Sequence, residues 1–258
     1  MSHLGERLRG TFTHHKSAVA SLGIFGWVSL ELQLRSGRYA EYRQHVLQVK
    51  GLKTGLKYRR NESDIEAFLQ VFVREEYGYV GGVNPHGLII DCGANVGYSS
   101  AWFMRQYPEC QVIAVEPDVG NFEMLQNNLA PFGASVTTVR AAVWSRKSGL
   151  VFDHAGYRDR LSWSLQVREA RSGEQADVEG YDIPSLIRLR PAARIGLLKM
   201  DVERSELDIF SRNTQWLSLC DNIVIELHDS DCERVFFAAI KNQGFDIRRA
   251  GELTICSR

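Results

Sequence analysis

Residues 88–97, LIIDCGANVG, and residues 112–118, VIAVEPD, decide how this chain folds. The first apolar run ends in Asp91 and is followed by a Gly-x-Asn-x-Gly turn at Gly93, Asn95 and Gly97. The second apolar run ends in Glu116. This is the layout of a β-turn-α-β nucleoside unit. The turn lets the backbone approach one end of a ligand, and the acid closing the second strand can accept hydrogen bonds from a ribose. The pair of runs therefore points to an adenosine-containing ligand.

Outward from this unit, apolar runs and helical patterns alternate. The sequence predicts strands at 88–92, 111–116, 135–140, 196–201, 222–227, 245–249 and 253–256. It predicts helices near 97–107, 119–130, 183–190, 204–212 and 232–243. Ser230-x-x-Glu233 reads as a capping box for the last helix, and Gly244 as its stop. The last two strands are too close for a crossover helix, so they read as an antiparallel hairpin. The expected fold is α/β: a Rossmann-like, doubly wound, mostly parallel seven-stranded sheet with a C-terminal antiparallel hairpin. Residues 1–80 read as an N-terminal helical and hairpin extension, and 81–258 as the main domain. Within the extension, 45–51 and 56–60 form a hairpin, and Ser63 and Glu66 cap a helix running to about Tyr77. Residues 152–178 are polar and weakly patterned, and read as a long loop that is either a lid or a surface excursion.

Composition narrows the partners. The 258 residues carry 31 basic and 31 acidic side chains, so no basic surplus points to nucleic acid. The five cysteines are dispersed, without a C-x-x-C pair, and read as reduced thiols in a cytoplasmic setting. Ala18–Leu30 is apolar but shorter than the roughly 20 residues a transmembrane helix needs. It reads as a packing helix, with a homodimer or a peripheral membrane contact as the alternatives.

Four predicted strand ends carry polar groups: Asp91, Glu116, Asp201 and the pair Glu226/His228. In an open parallel sheet the carboxyl ends lie along one edge, so residues more than 130 apart in sequence converge on one cleft. Glu116 can hold a diol, or else only charge the start of the next helix. Asp201 can hold an ammonium, remove a proton or cap a helix. Lys199 interrupts an apolar strand and needs an acid partner, which favours an ion pair over a catalytic lysine. His228 titrates near neutrality and is the first candidate for a general base, with Asp201 and Glu203 beside it. Asp201, Glu203, His228 and Asp229 could also ligate a divalent ion. No fixed spacing demands one, so no metal is expected.

LIIDCGANVGYSS, VIAVEPD with NFEMLQNNL, VRAAVW, LLKMDVERSEL and NIVIELH, preceded by LKYRRNESDIEAFLQVFVREEYGY, occur in one order. In that order they resemble S-adenosylmethionine-dependent methyltransferases of class I, and among them the FkbM-type family, over most of residues 45–256. The resemblance implies an O-methyltransferase for a hydroxyl on a small molecule, sugar, polyketide or lipid, with S-adenosyl-L-methionine as cofactor. It implies that Asp91, Gly93, Ala94, Asn95 and Gly97 contact the methionine part, with Tyr98 and Ser99 at the helix start. Glu116 would bind the ribose. Pro117 and Asn121 would border the adenine on one side, and Ala141 or Ala142 on the other. Asp201 would lie by the sulfonium and amino end, and Glu203, Glu226 and His228 would face the acceptor. Arg60, Ser63 and Asp64 would close the cleft. In DVERSE, Arg204 stands where that family usually has Gly. Either it alters acceptor choice or it merely starts a helix. Two rivals remain. A nicotinamide-dependent oxidoreductase would need a Gly-x-Gly-x-x-Gly turn, but Asn95 occupies the second glycine position. A non-catalytic binding or assembly protein could also use the same fold.

Overall fold

A computed structural model describes residues 19, 21–24, 26–28, 30, 45–60, 62–84, 86–153 and 166–258. The chain divides into two compact units, Met1–Gly78 and Tyr79–Arg258.

In the first unit, the described residues between 19 and 30 are helical. Leu22 and Leu30 are buried, whereas Ile24 and Val28 are exposed. The rest of the predicted N-terminal helical region lies outside the described residues. The expected hairpin is present, as β1 (Val46–Leu47) pairs antiparallel with β2 (Leu56–Lys57). The capping box at Ser63 is not formed. Ser63 makes no capping hydrogen bond and its hydroxyl is buried without a partner. Instead the buried Asp64 carboxylate accepts from the Arg59 backbone N–H at 2.7 Å and from its guanidinium at 2.8 and 3.0 Å. This charged acceptor supplies stronger bonds than a hydroxyl cap would. The single helix expected here is broken into α1 (Asp64–Phe68), a π turn at Leu69–Val73 and a 3-10 turn at Glu76–Tyr79.

The second unit is built on a seven-stranded sheet. Its strands are β3 (Leu88–Cys92), β4 (Gln111–Val115), β5 (Val136–Val139), β10 (Ile195–Met200), β11 (Asn222–Glu226), β12 (Asp246–Ala250) and β13 (Leu253–Ser257). Their spatial order is β12-β13-β11-β10-β3-β4-β5. Only β13 runs antiparallel to its neighbours; the other pairs are parallel. The Rossmann-like α/β architecture and the C-terminal hairpin are thus those the sequence predicts. β3 lies between β10 and β4, so the strand order reverses there and opens a crevice at the carboxyl ends.

Helices cover the sheet. α2 (Tyr98–Gln106) and α3 (Val119–Leu129) follow β3 and β4. α4 (Ile183–Leu189), α5 (Glu206–Ser211) and α6 (Ser230–Ile240) come later in the chain. Leu88, Ile90, Ile113, Leu198, Met200, Ile223 and Ile225 pack with Leu186, Phe210 and Phe236 of α4–α6 in one apolar core. The alternating strand positions, such as Ile89, Val112, Leu197 and Val224, face the other side and are fully buried. All five cysteines are buried free thiols. The cap of α6 lies one residue before the predicted box. Asp229 accepts from the N–H groups of Asp231 and Cys232, and Glu233 is drawn to Arg249 at 2.7 Å.

The predicted long loop of 152–178 includes strand residues at Phe152, Val167–Glu169 and Val178. β6 (Ala142–Val143), β7 (Ser148–Phe152), β8 (Val167–Glu169) and β9 (Val178–Tyr181) form a second sheet in the order β6-β9-β7-β8. The polar sequence hid these strands because they are short and, among the described residues, their buried apolar cluster is small: Ala142, Trp144, Leu150 and Val178, with Phe152 and Val167 packed against it. Residues 154–165 lie outside the described residues. Among the described residues, no helix is long and apolar enough to cross a membrane.

Gly93 shows how tightly the sheet edge is packed. It has φ +76, and a Cβ there would lie 1.8 Å from the Asp201 carbonyl oxygen. Gly93→Ala is expected to destabilise the protein by clearly more than the ~1–2 kcal/mol that a left-handed alanine costs. Gly244→Ala, where a Cβ would meet nothing within 4 Å at φ +74, is expected to cost only that backbone amount. Urea unfolding of the two variants checks the difference.

Candidate functional site at the strand ends

The turn after β3 is anchored to β4. Gly93 and Ala94 donate their N–H groups to the Val115 carbonyl, at 3.0 and 2.9 Å. Asn95 has φ +48, a conformation uncommon outside glycine. Its N–H donates to Glu116 Oε2 at 2.9 Å. The other carboxylate oxygen of Glu116 accepts from the Asp118 N–H at 3.1 Å and from Asn121 Nδ2 at 3.4 Å. Burial pushes the Glu116 pKa up to about 7, against the pull of these donors. Asp118 caps α3, accepting from the Asn121 N–H at 2.8 Å, so the helix does not need Glu116 as its charge. Asn95 Oδ1 is buried and has no hydrogen-bond partner. The turn and the second strand thus meet at one carboxylate.

Asp91 lies deeper than the sequence suggests. It is fully buried, and its Oδ2 accepts from the hydroxyls of Ser99 and Ser100, both at 2.6 Å. Its Oδ1 is 3.3 Å from Lys199 Nζ. Lys199 also donates to the Gly93 carbonyl at 2.7 Å and sits 3.9 Å from Asp201 Oδ2. The expected ion pair is therefore present, and Asp91 organises the turn from below. The glycines serve packing as well: at Gly97 (φ +89) a Cβ would meet the Leu129 side chain at 3.1 Å. Ala94 and Tyr98 are buried, Pro117 is half-buried, and Ala142 is buried in β6 of the second sheet. Arg60, Ser63 and Asp64 belong to the first unit, where Asp64 is held by Arg59.

Beyond β10 and β11 lies an acidic cluster. His228 Nε2 is 3.5 Å from Glu203 Oε2, 3.6 Å from Asp201 Oδ1 and 3.9 Å from Glu226 Oε1. His228 Nδ1 is 3.0 Å from Glu206 Oε1. A carboxylate can only accept, so Nδ1 carries the hydrogen. Burial lowers the pKa of the ring, but Glu203, Glu206 and Asp201 outweigh it and raise the value to about 11. A ring that holds its proton at neutral pH does not act as a general base, so the geometry favours Asp201 and Glu203 over His228 for that role. Glu206 was not legible as a site residue. It reads as an ordinary helix-start acid, and only the fold brings it to a histidine 22 positions away.

Glu203 and Arg204 adopt φ +47 and +74 in succession. A left-handed position suits glycine, so backbone conformation by itself accounts for a Gly at 204. Arg204 instead bears the strain and pairs with Asp229 at 2.7 Å, joining the loop after β10 to the cap of α6.

The profile described as the methyltransferase FkbM domain matches residues 91–249. The chain belongs to the FkbM methyltransferase family. It is similar to methyltransferase sdnD of Sordaria araneosa, 25% identical over 221 residues that cover 72% of this chain and 85% of the relative. It is also similar to the AMB antimetabolite synthetase AmbE of Pseudomonas aeruginosa, 26% identical over 205 residues, or 66% of this chain and 10% of that protein. Among solved structures, methyltransferase FkbM of Methylobacillus flagellatus shares the fold with a TM-score of 0.50 and 17% identity. That match covers 73% of this chain and 47% of the other. The chain thus spans a tenth of AmbE and about half of the FkbM structure. All the cluster residues described here fall inside the span matched to the FkbM family.

Lys199→Met is expected to destabilise the second unit by about 3–5 kcal/mol, because it strands the buried Asp91 charge. Arg146→Ala, which removes an exposed ion pair to Glu169, is expected to cost at most about 1 kcal/mol. Chemical denaturation compares the two.

Proposed function

We propose that the chain binds S-adenosyl-L-methionine at the β3 turn and Glu116, and transfers its methyl group to a hydroxyl of a small-molecule, sugar, polyketide or lipid acceptor. The observation that carries this reading is the Asn95–Glu116 bond. It joins the turn to the acid of the second strand, which supports a ribose at that carboxylate. Membership of the FkbM family supports the same reading.

The residues fit the adenosyl group. Glu116 uses three N–H donors, while a carboxylate offers about four acceptor positions. Asn95 Oδ1 is a buried acceptor that lacks a donor. Asp201, close to the turn through the Gly93 contact, suits the ammonium end. When bound, S-adenosylmethionine supplies a methyl group on a positively charged sulfur, and the electron pair of the breaking C–S bond returns to that sulfur. The chain then has two tasks. It aligns acceptor and donor, which can contribute about 7–11 kcal/mol. Its carboxylates Asp201 and Glu203, with Glu226 beside them, take the proton as the acceptor oxygen forms its bond to carbon, for roughly 10²–10⁴-fold. His228, held by Glu206, orients this cluster.

Two outcomes test the reading. The ribose hydroxyls need an ionised acceptor, so cofactor affinity should be level above pH 7. As pH falls through the Glu116 value of about 7, it should drop by up to about tenfold per unit. Glu116→Gln should weaken binding by roughly 10–100-fold and flatten that dependence, since charged hydrogen bonds contribute about 1.5–3 kcal/mol. Calorimetry across this range checks both, and no binding by folded wild-type protein contradicts the proposal. Separately, Glu203→Gln should lower turnover by at least about 10²-fold while cofactor affinity stays the same. Unchanged turnover would remove Glu203 from the proton transfer. A protein that binds cofactor but methylates no hydroxyl in a broad acceptor panel would favour the non-catalytic reading.

A further inference from the structure

The backbone after β10 makes a turn that its residues do not favour. The Ser205 N–H donates to the Val202 carbonyl at 3.1 Å, and the residues between them are Glu203 and Arg204. Both are left-handed, at φ +47 and +74. Turns with two such central positions belong mainly to Gly, Asn and Asp, because a Cβ crowds the following carbonyl. Neither central residue here is of that kind, so contacts outside the turn must hold it.

The loop after β11 supplies them. Glu203 and Arg204 face the adjacent residues His228 and Asp229 in two successive pairs of opposite charge. The pairs are unequal. Glu203 Oε2 lies 3.5 Å from His228 Nε2, which is long for a hydrogen bond. Arg204 Nε lies 2.7 Å from Asp229 Oδ2. Asp229 is itself held, since its Oδ1 accepts from the N–H groups of Asp231 and Cys232 at 2.9 and 2.8 Å. The helix it caps, α6, buries Cys232, Phe236 and Ile240. The shorter pair therefore ties the turn to a packed helix and fixes where the neighbouring Glu203 side chain begins. On the other side of the turn, Ser205 and Glu206 are buried, and Glu206 Oε1 accepts from the Val202 N–H at 3.3 Å.

We propose that Arg204 is a positioning residue: its pair with Asp229 clamps the strained turn, and the clamp sets the Glu203 carboxylate beside His228. The use of that placement in catalysis rests on the methyl-transfer reading, in which Glu203 takes the acceptor proton, whereas the clamp itself does not. A carboxylate that serves as a base must be held within reach of the proton it removes. A turn released from Asp229 relaxes, and its Glu203 side chain moves away from the ring.

Arg204→Gly is the test, because glycine accepts the left-handed position and the change removes only the clamp. The readout is the titration of the His228 ring, followed by nitrogen NMR on histidine-labelled full-length protein and assigned by its loss in His228→Asn. The ring faces Glu203, Asp201 and Glu226 at Nε2 and Glu206 at Nδ1. Burial lowers its pKa, and Glu203, Glu206 and Asp201 raise it. The sign of the change discriminates. Loss of a neighbouring cation by itself raises the titration point, whereas release of Glu203 lowers it. The expected result in Arg204→Gly is a fall of at least about one pH unit. In a Glu203→Gln background the same change should produce no fall, because no carboxylate is left to release. Arg204→Lys, which keeps a cation for Asp229, should titrate near wild type. The urea midpoint of Arg204→Gly should not drop, since a half-exposed pair contributes little and a left-handed arginine is strained. A titration point unchanged or raised in Arg204→Gly would overturn the inference. So would a fall that Arg204→Lys shares, or one that accompanies a lower urea midpoint. S-adenosylhomocysteine binding is measured calorimetrically on the same samples. Binding by a protein whose ring titration ignores Arg204→Gly would overturn the clamp and leave the methyl-transfer reading standing. The expected fall in a protein that ignores S-adenosylhomocysteine would support the clamp and overturn the methyl-transfer reading.

Discussion

The ammonium group of Lys199 is the interaction on which the sheet edge depends. It is almost fully buried between β10 and β3, and a buried charge persists only where partners surround it. Here they are the Asp91 carboxylate, the Gly93 carbonyl and, farther off, Asp201. Asp91 in turn gathers Ser99 and Ser100 from the first turn of α2. One cation therefore sets where the turn leaves β3, where α2 begins and how close β10 approaches. The approach is close enough that only a glycine fits at 93.

Two sites of different character grow from that frame. On the β4 side, backbone N–H groups converge on Glu116 and partly offset the charge of a lone carboxylate, which can still accept from a further donor. On the β11 side, carboxylates converge on His228, so the local field is negative and suits a hydroxyl about to lose its proton. The first lies at the end of β4 and the second at the ends of β10 and β11, with β3 between them. The pair of left-handed residues Glu203 and Arg204 stands at the second site, and strain of this kind, on the order of 1–3 kcal/mol each, persists where the surroundings over-determine it. The Arg204–Asp229 and Glu203–His228 contacts supply that constraint.

Much of this frame is legible in the sequence. Period and length mark the seven strands, because buried parallel strands are continuous apolar runs and their ends are polar. Lys199 inside an apolar strand announces an ion pair. Three features are less legible. The second sheet is hidden because its strands are short and mostly half-exposed, with polar residues between few apolar ones. The two Ser-x-x-Glu patterns fail for different reasons: Asp229 accepts the first helix N–H groups of α6 in place of Ser230, and at Ser63 no side-chain cap forms while Asp64 is held by Arg59. The state of His228 depends on four carboxylates drawn from three segments, and no local pattern states how they meet. Glu116 shows the converse: strand, turn and acid are adjacent enough in sequence for the β-turn-α-β unit to be read there.

The most direct measurement is a crystal structure of the protein with S-adenosylhomocysteine. The account predicts a ribose hydroxyl within about 3 Å of the Glu116 carboxylate, which keeps its bond from the Asn95 N–H. It also predicts the amino-acid end lying along the edge between Gly93 and Asp201. A ribose placed away from Glu116, or a ligand bound elsewhere on the sheet, would contradict it.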